Sequence, residues 1–150
     1  MRDDASSSSV GQPWPPRSGS SRACLTDVYK RQHLRCREAA AALDEGLITT
    51  WPVLTEAVHL ITRWIGVEPA TALMDEVADG DIIVWDVPPA SRAKVPGLMR
   101  RYADLPMDLA DASLVLLAES IGHGRILTTD QRDFHTYRWK ARKPFEPLLG

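Results

Sequence analysis

From residue 33 onward the apolar positions switch repeatedly between helical and strand spacing, and the switches predict elements in turn. Residues 33–45 are alanine-rich without a breaker and Gly46 follows, a helix with a C-terminal stop. Residues 47–49 read as a short buried strand. Thr50 is a capping type and Pro52 suits a first turn. Val53, Leu54, Ala57, Val58, Ile61, Trp64 and Ile65 then recur at helical intervals until Gly66. Residues 68–78 form a second amphipathic run, closed by Asp79-Gly80. The β-branched stretch 82–85 predicts a strand, and 91–102 a helix kinked at Pro96-Gly97. Residues 108–121 predict a helix that is apolar nearly all round and ends at Gly122. Residues 125–128 predict a strand, followed by a loop holding Asp130 and Asp133 and anchored by Phe134. The tail from Tyr137 reads as an edge strand, with a further one over 145–148. Strands alternating with helices make this an α/β fold with a mainly parallel sheet, in which ligands bind at the carboxyl ends of the strands.

The first 32 residues break this regularity. A serine run at 6–9, Pro13, Pro15 and Pro16, and the stretch Ser18-Gly19-Ser20-Ser21 bury too little apolar surface to offset their ordering entropy. The expected division is therefore a disordered or foreign segment over 1–32 and a folded domain over 33–150. Cys24-Leu25-Thr26-Asp27-Val28-Tyr29-Lys30-Arg31-Gln32 reads as translated adaptor sequence joined to a truncated frame. With 150 residues, 44% of them hydrophobic and 25% charged, the composition is that of one ordinary domain. The net charge of −2 gives no overall basic field, so a nucleic-acid partner requires a local basic patch or a bridging metal. Cys24 and Cys36 have no zinc-site spacing and fit reduced thiols in a cytoplasmic protein. No run is apolar enough to span a membrane, and the N-terminus is not a secretory signal.

The candidate chemistry lies in the acids. Glu56 sits among the apolar positions of its helix. Asp108 and Asp111 share one face of the first turn of theirs, where the helix dipole favours negative charge. Asp108 is satisfied by an N-cap role. Asp111, at the mouth of a buried helix, needs a partner. Asp130 and Asp133 follow a strand end, and Thr128 or Thr129 is placed to hold a carboxylate there. Two carboxylates about 4 Å apart repel by roughly 4 kcal/mol at an effective dielectric of 20. A hard divalent cation reverses that sign, and water held on it can attack a phosphodiester. Neither a nucleophile elbow nor a phosphate-cradling glycine loop is present. Near the tail Arg138, Lys140, Arg142 and Lys143 alternate with Tyr137 and Trp139. They fit either a grip on single-stranded RNA or the basic protection of an edge strand.

Three stretches, Thr50-Trp51-Pro52-Val53-Leu54-Thr55-Glu56, Asp104-Leu105-Pro106-Met107-Asp108-Leu109-Ala110-Asp111-Ala112-Ser113 and Leu127-Thr128-Thr129-Asp130-Gln131-Arg132-Asp133-Phe134, resemble the PIN-domain ribonucleases, in particular VapC-type toxins. The resemblance runs from about residue 33 to the C-terminus. It implies an α/β/α sandwich with a central parallel sheet, and an endoribonuclease dependent on Mg²⁺ or Mn²⁺. It further implies a homodimer neutralised by a small antitoxin. It places catalytic and metal-binding roles on Glu56, Asp111 and Asp130, with Asp133 as the alternative fourth acid. Asp108, Asp133 and Thr128 support them, and Arg138 and Lys140 are the candidate RNA contacts. Family members begin with a central strand that ends in a further metal-binding aspartate. Here the adaptor-like tract stands in that place and Asp27 is a poor substitute, so the expected sheet lacks its N-terminal strand. The alternative is an inactive truncated module that acts only in dimerisation or antitoxin binding.

Overall fold

The computed structural model describes residues 38–149 apart from 41, 44, 45 and 106. The segment 1–32, with Asp27 and Cys24, lies outside the described residues. So does much of the expected helix 33–45, of which 38–40 are helical. The strand β1 (Leu47–Thr50) runs straight into the helix α1 (Trp51–Trp64), with proline in its first turn. Thr50 holds the N-cap position, yet its side chain does not cap the helix. It is wholly buried, and its hydroxyl lies 2.6 Å from that of Ser113. Ser113 spends its own proton on the Ala110 carbonyl at 2.7 Å, so Thr50 is the donor.

The helix α2 (Val67–Asp79) closes on Gly80, whose φ of +87° suits a residue without Cβ, and the strand β2 (Ile82–Trp85) follows. Two helices, α3 (Pro89–Arg92) and α4 (Val95–Arg101), replace the single kinked helix expected over 91–102. Pro96 lies in the first turn of α4, where its missing N–H costs nothing, so the break falls ahead of it at 93–94. The helix α5 (Leu109–Ile121) is the centre of the structure. Ala112, Val115, Leu116, Leu117 and Ala118 are all buried, as the continuous apolar run predicts.

The strand β3 (Arg125–Ile126) is shorter than the expected 125–128, and what reads in sequence as a loop with two aspartates is a helix, α6 (Gln131–Thr136). The tail supplies three short strands. β4 (Arg138–Trp139) pairs antiparallel with β5 (Lys143–Pro144), and β6 (Glu146–Pro147) pairs parallel with β3. Phe134, Tyr137, Trp139 and Phe145 join α5 in the main core. Tyr137 packs edge-on against Tyr102 and Phe134, with ring centroids 5.0 and 5.4 Å apart. Gly124 is buried beneath this tail. A Cβ there would collide with the Trp139 indole and stand 3.0 Å from the Pro144 carbonyl oxygen.

The fold is mixed α/β, and its parallel strands form two separate pairs, β1 with β2 and β3 with β6. A single central sheet does not form among the described residues, because no strand there joins β1 to β3. Between the pairs lies an apolar cavity of about 500 Å³, lined by Ile48 and Thr49 of β1, Ile126 of β3 and Leu114 and Leu117 of α5. Among the described residues no helix is long and apolar enough to cross a membrane.

Candidate acidic site

Two helices open on the same D-x-x-D step. Asp108 caps α5 and accepts a hydrogen bond from the Asp111 amide at 2.9 Å. Asp130 caps α6 and accepts one from the Asp133 amide at 3.2 Å. In each case a carboxylate satisfies an amide that the helix cannot pair and sits at the positive end of the helix dipole. The capping role is the one the sequence suggests for Asp108. For Asp130 it is new, since no helix was expected to follow. Thr128, expected to hold a carboxylate, instead meets the main chain, its hydroxyl accepting the Asp130 amide at 3.0 Å.

Asp111 is half-buried in the mouth of α5, whereas Glu56, Asp108 and Asp130 are exposed. Its Oδ2 accepts a hydrogen bond from the hydroxyl of Tyr137 at 3.0 Å. Burial above all, then the charge of Asp108 and, less strongly, that of Asp130 push Asp111 up to about 6. The Tyr137 hydroxyl and an Asp108 backbone bond oppose this only in part. Burial and the Asp111 charge raise Tyr137 well above the usual phenol range, so the phenol stays protonated and remains a donor.

Glu56 is exposed on α1, and slight burial followed by the neighbouring Asp108 carboxylate raises it above the ordinary carboxylate range. Asp133 is raised by burial and then by Asp130, with Arg132 pulling the other way. The fold therefore gathers Glu56, Asp108, Asp111, Asp130 and Asp133 into a run of interacting neighbours. Asp111 feels Asp108 and Asp130, whereas Glu56 is linked to the run through Asp108. Among the described residues no three acid, histidine or cysteine side chains are placed to hold one metal ion between them. A carboxylate pair still suits Mg²⁺, which keeps several waters and takes only one or two protein carboxylates.

The two candidate RNA contacts differ in their surroundings. One guanidinium nitrogen of Arg138, Nη1, donates to the carbonyls of His135, Thr136 and Tyr137 at 2.7, 2.9 and 2.8 Å, so this side chain caps the end of α6. Lys140 is exposed on the turn between β4 and β5, its Nζ 5.7 Å from the Trp139 ring centroid, and Lys143 reaches the same ring at 4.9 Å. Sequence reasoning passed over Tyr137 as a functional residue and treated it as one aromatic of the basic tail. Its partner is 26 positions away, and no local spacing signals such a contact.

No family model matches the chain. Over 115 residues it is 27% identical to Ribonuclease VapC26 of Mycobacterium tuberculosis, a stretch that takes in 75% of this chain and 83% of that protein.

Proposed function

We propose, from this likeness to a VapC ribonuclease together with the gathered acids, that the chain is a metal-dependent endoribonuclease, the toxin of a toxin–antitoxin pair. The observation that carries the reading is Asp111. It is a half-buried carboxylate raised to about 6 by burial and acidic neighbours, and its hydrogen bonds come from a neutral phenol and a backbone amide. Such a group calls for a positive charge from outside the chain. Asp111 and Asp130 hold Mg²⁺ or Mn²⁺, with Glu56 at the edge of the same acidic surface. When bound, the ion neutralises charge on a scissile phosphate and activates water against it. The two helix caps fix the main chain beneath Asp111 and Asp130. Lys140, with Arg142 and Lys143 beside it, meets the RNA backbone electrostatically. A small antitoxin and a second copy of the chain are the protein partners, and the cytoplasm is the place of action.

A second reading has its own support. The parallel strands are divided by an apolar cavity, and Trp51, Trp64, Ile65 and Val67 are exposed along α1 and its junction with α2. An inactive module that only binds partners fits those features. Calorimetric titration with Mg²⁺ and cleavage of single-stranded RNA separate the two. Under the nuclease reading a saturable one-site isotherm appears, cleavage stops in EDTA, and Asp111→Asn loses both. A flat titration with intact RNA favours the partner-binding module.

A further inference from the structure

The hydrogen bond from Tyr137 to Asp111 ties together the two helices that carry the acids. Asp111 belongs to the first turn of α5, and Tyr137 is the residue at which α6 ends. The Tyr137 side chain is fully buried, gripped edge-on by Tyr102 and Phe134. The chain on either side is fixed as well. The Tyr137 amide bonds the Asp133 carbonyl at 2.9 Å, and the Arg138 amide bonds the Tyr102 hydroxyl at 3.0 Å. Arg138 Nη1 clamps the carbonyls of residues 135–137. The phenol therefore has little freedom, and its hydroxyl meets Oδ2 of Asp111 at 3.0 Å. A core phenylalanine would fill the same space, so packing alone does not account for the oxygen.

We infer that Tyr137 is a positioning residue, a strut between α5 and α6 that sets the orientation of the Asp111 carboxylate and its placement relative to Asp130. A carboxylate offers about four lone-pair directions, and the phenol occupies one of them, which fixes the aim of the rest toward a cation. The inference rests on the metal-binding reading of Asp111. Partners that orient a metal-binding group this way change metal affinity by roughly 10–100-fold when removed.

The test is calorimetric titration of the full chain with Mn²⁺ at neutral pH, with thermal unfolding of the metal-free protein alongside. Tyr137→Phe removes one oxygen and keeps the ring. Its Mn²⁺ affinity is expected to fall about tenfold. Thr71→Ala, which also removes one hydroxyl but from α2, where it bonds only carbonyls of its own helix, is expected to stay within about twofold of the original. Unchanged affinity in folded Tyr137→Phe overturns the strut. If the parent chain itself binds no Mn²⁺, the metal reading fails first and takes the strut with it. Should Tyr137→Phe not fold, 4-methylphenylalanine and 4-aminophenylalanine at position 137 keep the ring filled without and with a donor. Weak binding in the first and recovery in the second uphold the strut, and equal binding in both overturns it.

Discussion

Asp111 concentrates the electrostatics of the molecule into one side chain. An unfolded aspartate titrates near 3.8, whereas this one titrates near 6 in the folded chain. Between those values the folded state holds a proton that the unfolded state has released. Stability of the metal-free protein therefore falls as pH rises from about 4 to about 6, then levels off. Glu56 and Asp133, also raised, act in the same sense. Urea unfolding in EDTA across this range checks the slope, and a rise in stability through the window contradicts it. Asp111→Asn is expected to flatten most of the fall. Asp108→Asn is a subtler probe, because asparagine caps a helix as well as aspartate does but carries no charge. It is expected to preserve stability at pH 8 within about 0.5 kcal/mol while lowering Asp111 toward the ordinary carboxylate range, as followed by its carboxyl carbon resonance.

At the level of elements, the C-terminal tail is a structural part of the site. Residues 137–147 return to cover α5, and Arg138 and Tyr137 hold the C-terminal end of α6, the helix that Asp130 caps. Gly124 is the point at which this arrangement has least tolerance, since the Trp139 indole and the Pro144 carbonyl occupy the space of a side chain. Gly124→Ala is expected to cost about 1–3 kcal/mol in chemical denaturation, the usual range for overpacking a filled interior. Gly97, with open space around it, is the matched control and is expected to tolerate alanine.

For the whole molecule, the proposed cation binding would be linked to folding. A ligand held only by the folded state and present at 100 times its dissociation constant adds about 2.7 kcal/mol to stability. Mg²⁺ is therefore expected to raise the midpoint of thermal unfolding at pH 7.5 and EDTA to reverse the shift, with no such response in Asp111→Asn. The effect is expected to vanish below about pH 5, where Asp111 is protonated. An equal response in Asp111→Asn would place the ion elsewhere on the surface.

Much of this was legible in the linear chain because it depends on neighbours in sequence. Helical spacing over 51–64 and 109–121, the glycine stops at 80 and 122, the strand at 82–85 and the capping role of Asp108 all follow from local periodicity and terminus chemistry. The pair Asp108 and Asp111 was legible at an expected helix start, while Asp130 and Asp133 read only as acids in a loop after a strand. The helix after Asp130 escaped because six residues with two loop-type aspartates carry too weak a period, and its stability comes from Phe134 in the core. Contacts between distant positions were settled by packing alone. Thr50 turns away from its own helix to reach Ser113, and Tyr137 meets Asp111. Sequence spacing determines which face of an element a side chain occupies, but only the assembled core decides what stands opposite it.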